Sequence, residues 1–474
     1  MKEQFNERLY EKRTQIIAAF LVAAFIGLFN ETALNMAFVQ LGNDFGKDTS
    51  TIQWLTTGYL LTLGVLVPIS SILMQKFTTR QLFTASLLFS IAGTLIAALS
   101  PVFEMLFVGR IVQAIGTAII LPLMTQVVLM VYPISKRGAA MGKIGLVIVF
   151  APAIGPTIAG FLLADLTWHY IFWVCIPFLI IALVIGLKFI ENVSETRPVK
   201  FHIPSIILST VAFGGIVYGF SISGSLGTFN DPEVLVAIGV GVIALIAFSV
   251  MQMKMQQPML NLRVFQYPMF VLGLVIVMSV MLIILSTMVM LPIYLQNVML
   301  LTTVVAGLVL LPGGVINALM SVVSGNLFDR FGPRVMVPTG LALAAVALFF
   351  LRGIDAQTSA YFIVALHIVL FIGISLVMMP ASTNGLNQLP PALYPDGSAV
   401  MNTLQQVAGA VGTAIAVTIM SITVANATRD GGVEAAGQGA IDGIQNAITF
   451  GLVLAIIAFV ISLFLKNVRQ EKGM

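Results

Sequence analysis

Charge is what this sequence has least of. Only 9% of its 474 residues are Asp, Glu, Lys or Arg, against 59% hydrophobic. A soluble domain carries about a quarter charged residues, so a water-facing surface cannot be built from this chain. One cysteine, Cys175, excludes an internal disulfide and any cysteine metal cluster. Three histidines and isolated polar groups within apolar runs leave no clustered side chains of the kind an enzyme centre needs. No phosphate-binding GxxxxGK[ST] segment occurs and no stretch is long enough for a soluble nucleotide-binding domain, so ATP is not the expected energy source. The net charge of +4 does not point to nucleic acid, because the basic residues sit in short links between apolar runs.

What the sequence has in abundance is long apolar runs, with a mean hydropathy of +1.04. Crossing ~30 Å of hydrocarbon takes ~20 residues of helix. About fourteen runs of that length start near Thr14, Ile52, Gln81, Phe103, Met141, Tyr170, Ile203, Val234, Met269, Val304, Val335, Tyr361, Ala399 and Ile444. The expected class is an all-α polytopic membrane protein. The charged N-terminal segment lacks a small-residue cleavage site and reads as a lead-in to the first helix. Alternating the runs across a bilayer puts nearly all 23 basic residues on the side shared by both termini. Lys47, Arg352 and Arg429 fall on the other side, and Arg110 within a span. By the positive-inside rule both termini are expected in the cytoplasm of a cell that carries the protein in its cytoplasmic membrane.

An internal repeat supports an even helix count. Ser71 to Arg80 aligns with Gly325 to Arg334, with leucine, a basic residue, phenylalanine and arginine at matching offsets. The copies lie 254 residues apart, about eight spans at roughly thirty residues each. Two six-helix halves, 1–200 and 257–474, with a two-helix insertion over 201–256, account for that spacing as parallel repeats.

The segment from Gly145 to Gly160 carries Pro152, Gly155 and Pro156 in a stretch without charge. Glycine and proline are the worst helix formers in water, but in a bilayer they allow close packing or a bend around a cavity. The ridge Gly145, Pro152, Gly155, Pro156, Gly160 resembles motif C of the proton-coupled exporters of the major facilitator superfamily. Leu106 to Gly116, with Arg110 and Gln113, resembles that superfamily's motif B. Gln53-Trp54 through Tyr59, Trp168 to Phe172 with Pro177, and Asn402 to Gly412 resemble other segments of its fourteen-helix drug:proton antiporters, the EmrB/QacA group. The variants at Phe29 to Asn35 and Gln75 to Arg80 look most like a lincomycin-resistance type of Gram-positive exporter. The resemblance implies a major facilitator fold and proton-coupled efflux of lipophilic drugs or toxic small molecules. Export of an endogenous metabolite or lipid by the same exchange is the alternative. It also implies a monomer with no cofactor beyond the proton gradient, and a periplasmic adaptor only in a Gram-negative host.

Glu31 is the one carboxylate well inside a span. An intramembrane acid is costly and by default marks an ion or proton pathway. It could alternatively be half of a fixed ion pair, although the rarity of such acids favours proton coupling. Arg110 lies at a similar depth and could meet Glu31 if the first and fourth helices are neighbours, as the resemblance implies; a purely structural bond to backbone carbonyls is the other use open to it. Gln75, Lys76 and Arg80, with Asp329, Arg330 and Arg334, are the expected cytoplasmic gate loops, the first copy lacking its usual aspartate. Asn30, Asn35, Tyr59, Gln113, Tyr294, Asn317, His367 and Gln405 are the candidates for a substrate cavity, although hydrogen bonds between helices are the commoner use of such residues. A single buried acid favours neutral or monocationic lipophilic cargo over dications. No metal site is expected. The Gly-rich stretch from Asn426 to Gly443 reads as a mobile outer loop.

Overall fold

A computed structural model describes residues 12–131, 134–192, 202–226, 228–255, 258, 260–390, 393–431 and 436–467. Fourteen long helices run through them and no strand occurs among them. They are α1 (Arg13–Phe45, with a 3-10 turn at Leu34–Ala37), α2 (Trp54–Lys76), α3 (Thr79–Ala98), α4 (Phe103–Val131), α5 (Ile134–Asp165), α6 (His169–Phe189) and α7 (Ile203–Leu226). After them come α8 (Pro232–Lys254), α9 (Pro268–Ile293), α10 (Thr303–Phe331), α11 (Pro333–Leu351), α12 (Ala360–Asn387), α13 (Tyr394–Gly431) and α14 (Ala436–Ser462). Among the described residues thirteen helices are long and apolar enough to cross a membrane, and α5 has a shorter apolar stretch at Phe150–Asp165.

Local chemistry sets the helix ends. Thr78 caps α3 in a reciprocal box with Gln81, Asp231 caps α8 ahead of Pro232, and Thr302 caps α10. Gly332, at φ 70°, makes the tight link between α10 and α11 that a side chain would strain. Pro292 withdraws a backbone donor near the end of α9, which finishes in a π turn at Tyr294–Val298.

The helices pack as two clusters. α1 lies against α4, α5 and α6, α3 against α4 and α6, and α2 against α4. α9 lies against α12, α13 and α14, while α10 and α11 both pack on α12. α5 against α10 and α2 against α13 join the two clusters. α7 packs on α8, α13 and α2, and α8 turns Leu235, Val236, Ile243 and Ile246 outward, as a helix facing lipid does. The aligned loops also share a detail. The Arg80 N–H donates to Asn192 Oδ1, just past α6, and the Arg334 N–H donates to Asn467 Oδ1, just past α14, each at 3.3 Å.

The stretch read as a mobile loop from Asn426 to Gly443 is mostly helical. α13 runs on to Gly431 and α14 starts at Ala436. Two of its glycines serve packing: a Cβ on Gly439 would lie 2.7 Å from that of Ala427, and one on Gly443 would press on Met420. Helices can extend beyond an apolar run when small residues let them pair, and hydropathy alone misses this.

Candidate functional site

Small residues bring the two clusters into contact at the bundle end farther from Arg13 and Ser462. On α5, a Cβ at Gly160 would lie 2.5 Å from Thr303 O of α10. Gly307 of α10 rests on Pro156 and Thr157, and Thr157 Oγ1 donates to Gly307 O at 3.0 Å. Thr57 and Thr413 hydroxyls join α2 to α13 at 3.1 Å, and Ser50 reaches Ser421 at 2.9 Å. Gln296, beyond α9, donates to Met36 O of α1 at 3.3 Å. Farther along the same helices toward the end with the termini, Ile148 and Pro152 of α5 and Asn317 and Ser321 of α10 line a cavity between the clusters. Its volume is about 330 Å³, at the small end of the range for ligand sites.

Glu31 is the one acid in the cavity lining and is buried. Leu28, Leu121, Pro122, Met281, Met288, Met378 and Met379 supply apolar wall, an adaptable surface for lipophilic ligands. Asn317, Ser375, Asn402, Gln405 and Gln406 supply polar wall from α10, α12 and α13. Asn317 Oδ1 accepts from Ser375 Oγ at 2.6 Å.

Behind Glu31, Arg110 is fully buried on α4. Its Nε donates to Leu55 O at 3.1 Å and its Nη1 to Gln113 Oε1 at 3.1 Å. The guanidinium lies over the Tyr59 ring, 4.2 Å from the centroid, and Nη2 has no hydrogen-bond partner. Tyr59 is held in turn, its hydroxyl donating to Gly27 O at 2.9 Å and lying 2.7 Å from Thr117 Oγ1. Gln113 Nε2 donates to Thr94 Oγ1 at 2.9 Å. α1 and α4 are neighbours, yet Glu31 and Arg110 form no ion pair within 4 Å; among the described residues only Lys12–Glu191 and Lys47–Glu104 do. An aromatic face and neutral acceptors therefore hold the buried cation, and the carboxylate beside the cavity has no fixed counter-ion.

The sequence matches the Major Facilitator Superfamily over residues 20–413. The chain belongs to that superfamily. It is 58% identical to lincomycin resistance protein LmrB of Listeria monocytogenes, over 96% of this chain and 97% of that one. To LmrB of Bacillus subtilis it is 52% identical, over 96% of each. A probable multidrug resistance protein, EmrY of Escherichia coli, is 25% identical over 85% of this chain and 79% of its own length. In fold it is similar to a bacterial homologue of the lysosomal transporter Spinster, with a TM-score of 0.69, 14% identity and coverage of 97% and 99%.

In this major facilitator protein the cavity candidates divide. Asn317 and Gln405 line the cavity with Glu31, whereas Asn30, Asn35, Tyr59, Gln113, Tyr294 and His367 do not. Asn30 Oδ1 faces Cys175 Sγ at 3.7 Å, and Asn35 accepts from Thr56 at 2.9 Å. Tyr294 donates to Asp355 O at 2.7 Å, which ties α9 to the link between α11 and α12. His367 packs on Gly313 and edge-on to Phe371, beside a separate crevice. Asn30, Asn35, Tyr59, Gln113 and Tyr294 are hydrogen-bonded within the protein, and His367 is packed away from the cavity with its Nδ1 unpartnered, which polarity alone does not reveal. Asn402 and Gln406, polar groups within the same apolar run, also line the cavity, and their spacing puts them on one helix face with Gln405.

Pro152 lines the cavity and its carbonyl accepts from Thr32 Oγ1 at 2.9 Å, while Gly155 admits Thr32 and Gly160 admits α10. The motif C glycines are thus contact points with α1 on one side and α10 on the other. Gly145 lies in the helical course of α5. In the first loop, Arg80 Nη2 donates to Leu187 O at 2.7 Å, and Lys76 stands 5.8 Å from the Phe77 ring centroid. In the second, Arg330 lies over Phe331 at 5.2 Å. The side chains of Gln75 and Asp329 lie outside the described residues.

Proposed function

We propose that this chain is a proton-coupled antiporter that exports lipophilic drugs, neutral or monocationic, across the cytoplasmic membrane. The observation that carries the reading is Glu31, among the described residues the one acid lining the cavity between the clusters, buried and without an ion-pair partner there. Such a carboxyl takes up a proton when desolvated and gives it up when water or a cation reaches it, so alternating access changes its protonation. The buried Arg110 is the nearby fixed charge that favours release. The relatives named for lincomycin and multidrug resistance support drugs as the cargo. A potential of 100 mV with one pH unit supplies roughly 3.7 kcal/mol per proton, which sustains a gradient of several hundredfold for a neutral substrate.

The rest of the reading is one even-numbered bundle, with termini and motif A loops in the cytoplasm. Two six-helix halves rock about the cavity, and α7 and α8 are inserted between them. The cavity then faces the cytoplasm and the α5–α10 and α2–α13 contacts close the outer side.

The test uses inverted vesicles with an imposed proton gradient, following lincomycin and a lipophilic dye. Accumulation that collapses with a protonophore and in Glu31→Gln is expected. Undiminished transport by Glu31→Gln would remove this acid from the coupling. Failure of the wild type to move either compound would replace drugs with an endogenous metabolite or lipid as the cargo.

A further inference from the structure

One helix face within the cavity is chemically distinct from the rest. α13 is fixed in rotation by two packed sides. Toward α2, Val407 and the carbonyl of Thr403 close on Gly64. Toward α9, Gly409 and Gly412 admit Leu285 and Leu282 so closely that a Cβ would lie 2.4 Å and 2.8 Å from them. The side left over points into the cavity and carries Asn402, Gln405 and Gln406. Positions three and four apart lie together on a helix, so the three amides form one patch.

Among the described residues no hydrogen bond satisfies these three side chains. Most other polar side chains in the spans are engaged: Thr57 with Thr413, Gln113 with Arg110 and Thr94, Asn35 with Thr56. Interhelical bonding is the usual use of an amide at membrane depth, so three unpartnered amides in a row need another account. An amide offers two donors and two acceptor lone pairs, and a neutral patch of this kind matches hydroxyl and amide groups better than a delocalised cation. Leu121, Pro122 and Met288 supply apolar wall in the same cavity.

Resting on the reading of this cavity as the substrate site, we propose that Asn402, Gln405 and Gln406 bind a neutral hydrogen-bonding face of the substrate. The preferred cargo is an amphiphile with several hydroxyl or amide groups on one side and an apolar body on the other. A site that hydrogen-bonds its ligand discriminates against analogues lacking those groups, because an apolar ligand displaces water from the cavity-facing amides without replacing its hydrogen bonds. These three residues therefore set which lipophilic compounds are bound tightly, and Glu31 is not needed for that choice.

The experiment is equilibrium binding to the purified full chain in detergent. The probes are lincomycin, which carries hydroxyl and amide groups, and tetraphenylphosphonium, which has no hydrogen-bonding group. Asn402→Leu, Gln405→Leu and Gln406→Leu are compared with wild type, and retained tetraphenylphosphonium binding reports an intact fold. Each neutral hydrogen bond lost is expected to weaken lincomycin binding by roughly two- to tenfold. Tetraphenylphosphonium affinity is expected to stay within about twofold, the scatter of a surface-like change. Three results overturn the proposal: equal losses for both probes, no loss for lincomycin, or no lincomycin binding by wild type. Because no gradient is involved, failure of proton coupling in vesicles leaves this outcome separate. Glu31→Gln that binds lincomycin normally but does not transport it would separate selection from coupling.

Discussion

At the scale of single residues, the informative arrangement is a buried arginine whose partners are all neutral. Arg110 rests on the Tyr59 face and bonds Leu55 O and Gln113 Oε1. A lysine offers a point charge without the planar fork, so Arg110→Lys is expected to lose the stack and at least one of the two bonds. Proton-driven transport in vesicles should fall by roughly tenfold or more, since losing the stack and a charge-assisted bond costs about 1.4 kcal/mol or more. Gln113→Leu leaves Nη1 buried and unpaired, and thermal unfolding in detergent should show a loss of about 1–3 kcal/mol. Glu31 and Arg110 were legible in the sequence because a charge within an apolar run has few explanations. The Tyr59 ring that Arg110 lies over was not, since that contact depends on how α2 is rotated against α4. His367 and Tyr294 mislead for the same reason: polarity marks them, and only packing shows that Gly313 and Asp355 have already taken them.

At the scale of helices, glycine has two uses that substitutions can separate. Gly93, Gly109 and Gly116 join α3 to α4 inside one cluster, where a Cβ on Gly93 would lie 2.4 Å from the Gln113 backbone nitrogen. Gly160 and Gly307 join α5 to α10 between the clusters. Gly93→Val is expected to destabilise the protein by overpacking, about 1–3 kcal/mol, seen as a lower unfolding temperature. Gly160→Val should spare the unfolding temperature and instead push α5 from α10 at that end. Spin labels near Asp165 and Thr302 would then report a longer mean distance than in wild type, and an unchanged distribution would place the flexible contact elsewhere. The glycines of α5 stood out in the sequence because they occur with two prolines. Their partner Gly307 did not, because one glycine in a long helix has no pattern of its own. The same limit explains the segment around Gly439, where contact with Ala427 makes a helix of what composition alone reads as a loop.

At the scale of the whole molecule, the repeat separated by 254 residues foretold paired loops, and both copies anchor an arginine N–H on an asparagine beyond a later helix. Which end of the bundle is closed could not be read in advance, because one sequence must support more than one arrangement. The closed end depends on a few polar contacts between clusters, including Ser50 with Ser421, whose hydroxyls are 2.9 Å apart. If the clusters must part there in each cycle, a covalent tie across that contact should stop transport. Ser50→Cys with Ser421→Cys, in a Cys175→Ser background, places two sulfurs where a disulfide can close. Cys175 is the one cysteine of the chain, so no other pairing competes. Oxidation is expected to abolish proton-driven lincomycin transport and a reductant to restore it, while either single cysteine variant stays indifferent to both. The tied protein should still bind ligand from the end that carries the termini, because the cavity lies on that side of the tie. Full transport by the oxidised, cross-linked protein would mean that this end never opens, and the cavity would then need an exit through the membrane-facing side of the bundle.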